Sequence, residues 1–132
     1  GSFLSVHEGP ARIAKSPTAI ALQGGMVLSN EPGFYKPGAY GIRLETLLLV
    51  HPVQPSAAQA GHNADSTRQF LEFETLTLAP FDRRLVDPAV LGAEDTAILD
   101  TYHARILELI GPHLPPNAQK WLVGACAPLN MA

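Results

Sequence analysis

Three features of this sequence predict an α+β fold, with strands first and helices last. Residues 26–31 and 40–50 read as strands around a Pro- and Gly-rich link, and Phe70–Leu78 alternates apolar and polar residues. From about Ala93 to Ile110 the apolar residues instead recur at steps of three and four, the period of a helix. Strands and helices segregated along the chain describe an antiparallel sheet with terminal helices, not a βαβ pattern.

Taken in order, residues 3–7 alternate loosely and run into the turn His7-Glu8-Gly9-Pro10. Residues 11–25 are mixed, and Pro17 with the Gly24-Gly25 pair argues for loop. Residues 26–31 form a strand, 32–39 a turn-rich link and 40–50 a strong strand. Its Thr46-Leu-Leu-Leu-Val50 end is continuously apolar, which predicts burial on both faces. Residues 54–68 are small and polar, a surface loop.

Phe70–Leu78 is a strand with one wet face, on which Glu72 and Glu74 are expected to be solvated, and Pro80 ends it. Asp87-Pro88 leads to the helix, whose buried stripe is expected to be Leu99, Tyr102, Ile106 and Leu109. Gly111-Pro112 stops it. A last short helix, about Asn117 to Ala125, would bury Trp121 and Leu122.

The 132 residues suffice for one domain, and a formal charge of −3 offers no basic field for nucleic acid or an anionic membrane. The single cysteine, Cys126, forms no intrachain disulfide and reads as a structural thiol. No apolar run reaches the roughly 20 residues that span a bilayer. A cytoplasmic location is the expectation. The chain opens directly into strand-like sequence at Gly1-Ser2-Phe3 without a Met, and so reads as a piece of something longer.

Glu31 and Glu45 carry the chemistry. If the arms of the 26–50 segment pair antiparallel about Gly38, the two carboxylates face each other with Cβ atoms about 5 Å apart. Like charges placed so are destabilising unless something positive lies between them, and a shared divalent cation is an economical remedy. Carboxylate oxygens suit Mn²⁺, Mg²⁺ or Zn²⁺. Arg43, on the same strand face as Glu45, would orient a carboxylate. Spacing alone leaves open that both glutamates face solvent, with Arg43 paired to one.

His7 is either a turn histidine or a donor to a substrate carbonyl or tetrahedral intermediate. His51, His62, His103 and His113 are expected at the surface, His103 on the helix side away from its apolar stripe. No nucleophile-elbow, phosphate-loop or Cys-x-x-Cys motif is present.

Val6-His7-Glu8-Gly9-Pro10, Gly25-Met26-Val27-Leu28-Ser29-Asn30-Glu31-Pro32-Gly33-Phe34-Tyr35 and Gly38-Ala39-Tyr40-Gly41-Ile42-Arg43-Leu44-Glu45 together resemble the C-terminal part of aminopeptidase P. This is the cytosolic Xaa-Pro aminopeptidase among the pita-bread metallopeptidases. The resemblance implies that residues 1–132 are the C-terminal part of a pita-bread catalytic domain, with a curved antiparallel sheet half at about 1–80 and terminal helices at about 88–132.

It further implies two divalent ions, manganese in this branch, bound by two Asp, one His and two Glu. Glu31 matches the first glutamate ligand and the acid/base partner of the attacking water, and Glu45 the bridging ligand. His7 matches a histidine that bonds the substrate, and Arg43 a supporting arginine. The implied substrate is a peptide with proline second, and the implied parent is a homodimer. The ligand His and both Asp have no counterpart in this chain, which predicts an inactive fragment. A prolidase and a non-catalytic pita-bread binding module are the alternatives.

Overall fold

The computed structural model describes residues 11–53 and 70–129, in two compact units, Gly1–Thr77 and Leu78–Ala132. The expected strand at 3–7, the turn with His7 and the polar loop at 54–68 lie outside the described residues.

In the first unit, β1 (Val27–Asn30), β4 (Thr46–Pro52) and β5 (Leu71–Thr75) form an antiparallel sheet in the order β1-β4-β5. β2 (Gly33–Lys36) and β3 (Tyr40–Arg43) form a separate antiparallel hairpin. The strand expected over 40–50 is therefore two strands, and half of the expected link at 32–39 is itself a strand. Proline explains the break. Pro32 has no N–H to give a ladder, so only the reverse bond forms, Leu44 N–H to the Pro32 carbonyl at 3.1 Å. The hairpin turns at Gly38, whose φ of +71° suits glycine, and Ala39 N–H donates to the Lys36 carbonyl at 3.1 Å.

β4 is buried on one face only. Leu48 and Val50 are buried, whereas Leu47 is 44% exposed, against the expectation of burial on both faces. The register explains this: Leu47 lies opposite Ser29 and Leu49 opposite Glu74, so their face is shared with polar partners. Glu74 and His51 stay partly exposed, as the sequence suggests, and in addition bind each other across the strands at 2.7 Å. Glu72, by contrast, is exposed.

The second unit contains α1 (Pro88–Leu91), α2 (Ala93–Ile110) and α3 (Pro116–Ala125). Asp87 caps α1 by accepting from Ala89 N–H at 3.0 Å, with Pro88 in the first turn. α2 spans the predicted residues, with Glu94 and Asp95 in its first turn where the helix dipole favours acid. Ile106, Leu122 and Cys126 form the core of this unit, with Tyr102, Leu107, Ile110 and Leu114 packed around them.

Three expectations fail here. Leu109 is 43% exposed and Trp121 64% exposed, while His103 is fully buried. α3 buries its Leu122–Cys126 edge, four residues apart, and Trp121 lies about 100° round the helix from Leu122. His103 is buried because it has a backbone partner: its Nε2 accepts from Phe81 N–H at 3.1 Å. Its neighbour Tyr102 donates to the Ala79 carbonyl at 2.8 Å, so successive helix residues tie down the preceding segment. No helix among the described residues is long and apolar enough to cross a membrane.

Candidate metal-ligand site

Both ladders of the 27–49 segment keep one register about Gly38: Asn30 pairs with Thr46 on one side and Gly33 with Arg43 on the other. Glu31 and Glu45 occupy the facing positions in the gap between them, where the Leu44–Pro32 bond continues the pairing. Directly opposed residues of an antiparallel pair have Cβ atoms about 4.5–5.5 Å apart. Glu31 is half-buried at the end of β1, and Glu45 is exposed immediately before β4.

Glu31 is held at both oxygens. Ser29 Oγ donates to Oε1 at 2.8 Å, and Arg43 Nη1 donates to Oε2 at 2.6 Å. Arg43 in turn donates from Nε to the Tyr35 hydroxyl at 2.9 Å, and its guanidinium carbon lies 5.9 Å from the centre of the Tyr35 ring. The bond to Tyr35 is the main reason the Arg43 pKa is raised, followed by the charges of Tyr35, Glu31 and Glu45. Arg43 thus places a positive charge against the Glu31 carboxylate and fixes its rotamer.

Tyr35 depends on two glycines. A Cβ on Gly33 would lie 2.9 Å from the Tyr35 hydroxyl oxygen, and one on Gly41 would lie 2.7 Å from its Cδ1. The ring therefore lies flat across the hairpin, on the face that Glu31, Arg43 and Glu45 share by strand alternation. Neither Tyr35 nor Ser29 stands out in the sequence reading. The available signal was parity: positions 29, 31, 33, 35, 41, 43 and 45 share one side, and two of them are glycine beside a tyrosine.

The two carboxylates offer oxygen donors of the kind a hard divalent ion takes. Two carboxylates, Glu45 exposed and Glu31 oriented by an arginine, suit an oxygen-liganded metal. Among the described residues no group of three or more His, Cys, Asp and Glu side chains comes together to hold a metal ion. His7 lies outside the described residues, so its position relative to the glutamates is not part of this geometry.

Residues 1–52 match metallopeptidase family M24, and residues 69–129 match the C-terminal region of peptidase M24. Aminopeptidase P1 of Lotus japonicus is 36% identical over 99% of this chain and 19% of its own length. Xaa-Pro aminopeptidase app-1 of Caenorhabditis elegans is 40% identical over 98% of this chain and 21% of its own. The crystal structure of X-prolyl aminopeptidase from Caenorhabditis elegans, described as a cytosolic enzyme with a di-nuclear active site, superposes with a TM-score of 0.73. It is 37% identical and covers 94% of this chain and 20% of that one.

The antiparallel strands and terminal helices described above are thus the C-terminal portion of the pita-bread fold. The chain spans about a fifth of the length of the relatives it matches. It belongs to metallopeptidase family M24, within which it is similar to the aminopeptidase P enzymes.

Proposed function

We propose that this chain supplies one part of a dinuclear-metal Xaa-Pro aminopeptidase, which hydrolyses the bond between an N-terminal residue and a following proline. Family membership and the names of the relatives support the peptidase reading, and the di-nuclear site of the Caenorhabditis elegans enzyme supports two metals. The single observation that carries it is the facing register of Glu31 and Glu45, with Arg43 bound to Glu31 at 2.6 Å.

Glu31 and Glu45 would hold the ions through their carboxylate oxygens. When bound, a pair of divalent ions, manganese in this proposal, supplies Lewis acidity toward a water and the scissile carbonyl. Glu31 takes up the proton of the attacking water and returns it to the leaving proline nitrogen. His7 donates a hydrogen bond to the substrate carbonyl as charge develops on it. Arg43, bonded to Glu31 at 2.6 Å, keeps that carboxylate aimed.

The remaining ligands, two Asp and one His, come from outside these residues, so the 132-residue chain alone is inactive. In this reading residues 1–80 are the sheet half and 88–132 the terminal helices of one catalytic domain. The full-length protein is a cytoplasmic homodimer.

The test is substrate choice by the full-length protein loaded with Mn²⁺. An Xaa-Pro-Xaa tripeptide should be cleaved in preference to an Xaa-Pro dipeptide. Preference for the dipeptide makes it a prolidase, and no cleavage of either leaves a pita-bread binding module.

A further inference from the structure

The second unit carries a cleft of about 560 Å³ between the segment after Leu78 and the outer face of α3. Phe81 and Trp121 line it, and Trp121 is 64% exposed although it is the one tryptophan of the sequence. Arg83, Arg84 and Lys120 line it too, against the single carboxylate of Asp82. On a chain of formal charge −3, this is a local reversal of sign.

The cations are not equivalent. Arg84 is committed to Asp82, with Nη2 to Oδ2 at 2.6 Å, yet it is 87% exposed. Arg83 crosses to the end of α3, donating to the Gly124 carbonyl at 3.3 Å and the Pro128 carbonyl at 2.6 Å. Its buried Nε has no hydrogen-bond partner. Lys120 and Trp121 both line the cleft, so it offers an ammonium and an indole within one concave surface.

Gly124 is the most telling of the lining residues. It lies inside the last turn of α3, where glycine is the poorest helix former after proline. Its φ is not in the left-handed region, and an added Cβ would meet nothing within 4 Å. Neither backbone conformation nor packing calls for glycine there. Because Gly124 lines the cleft, a large side chain at this position is expected to crowd it.

We propose that this cleft docks an acidic peptide segment of a partner protein, with an apolar or aromatic side chain seated against Trp121 and carboxylates facing Lys120 and the exposed Arg84. Charge complementarity selects the acidic partner, and an exposed tryptophan in a concave setting selects the apolar anchor.

The test uses the full-length protein and a series of short fluorescent peptides, blocked at the N-terminus so that no aminopeptidase can cut them. The series varies from acidic to basic, with a central Leu, Phe or Ser. Anisotropy should show affinity rising with acidity, falling with salt, and needing Leu or Phe. Gly124→Leu should weaken binding of the acidic Phe peptide about tenfold or more by filling the cleft, and Trp121→Ala and Lys120→Glu comparably. Peptidase activity and thermal stability of Gly124→Leu should match the parent, which separates blocked docking from misfolding.

Binding indifferent to charge, no binding by any acidic peptide, or binding unchanged in Gly124→Leu would each overturn the proposal. So would conversion of a dimer to a monomer by Trp121→Ala in sedimentation, since a second copy of the chain would then be the occupant.

Discussion

Arg43 holds the Glu31 carboxylate at 2.6 Å from a strand position two residues before Glu45, while its other side is held by the Tyr35 hydroxyl at 2.9 Å. The two glutamates occupy facing positions of the paired segment, and one of them is already bound by a cation. Tyr35→Phe removes the anchor of Arg43 and leaves the ring in place. In the full-length enzyme it should lower metal affinity or turnover by about 10–100-fold, with little change in melting temperature. Arg43→Lys should do no better, because a lysine cannot bond Tyr35 and Glu31 in the same plane. Metal titration beside steady-state kinetics checks both.

Gly41→Ala probes the same chain of contacts from the backbone side. Its Cβ would stand 2.7 Å from Tyr35 Cδ1, so the ring must shift. The expected outcome is a loss of stability of about 1–3 kcal/mol by overpacking. Activity should fall together with that of Tyr35→Phe, and Gly41→Ala combined with Tyr35→Ala should recover stability relative to Gly41→Ala alone. Denaturant melts of the four proteins give the coupling directly.

His103 makes the second unit acid-sensitive. Its pKa is lowered chiefly by burial and further by the charge of Arg83, with Asp100 opposing. The neutral ring accepts from Phe81 N–H, a role the protonated ring cannot fill. The unfolded chain takes up a proton near the ordinary histidine value while the folded one stays neutral. Stability from this group is therefore full above about pH 6.5 and declines as pH falls from there toward the lowered native value. Urea melts between about pH 7 and pH 5 should show that slope, flattened in His103→Gln. At neutral pH, His103→Leu should cost about 1–3 kcal/mol, since Phe81 N–H loses its acceptor.

Core substitutions should separate residues that look alike in the sequence. Ile106 is fully buried among Leu122 and Cys126, and Ile106→Ala should cost about 2–5 kcal/mol. Leu109, placed by its spacing on the same stripe, is 43% exposed, and Leu109→Ala should change stability by about 0.5–1 kcal/mol at most. Equal losses at the two positions would contradict this packing.

What the sequence disclosed follows from which signals are local. The period of α2 is local, and its span was readable to the residue. The mirror register about Gly38 is also local, because one hairpin sets it, so the opposition of Glu31 and Glu45 could be read from spacing. The rotation of a helix about its own axis is not local. Trp121 and Leu109 were misplaced because apolar character says that a residue prefers burial, not that a neighbour exists to bury it. His103 erred the other way, since its backbone partner Phe81 lies 22 residues back. Pro32 marked the break between β3 and β4, yet its effect shows only once its partner strand is known. Tyr35 was invisible for the same reason: its role exists only when Gly33 and Gly41 are brought beneath it.

The most direct measurement is the metal content of the full-length protein with and without the carboxylate of Glu45. Inductively coupled plasma analysis should find two divalent ions per chain in the unsubstituted protein; the relative's active site is described as di-nuclear. Glu45→Gln should lose one or both, with activity reduced by about 100-fold or more. Glu31→Gln should do likewise. Full metal content in either variant would mean that these facing glutamates do not hold the ions, and the account of this hairpin as half of a metal centre would be wrong.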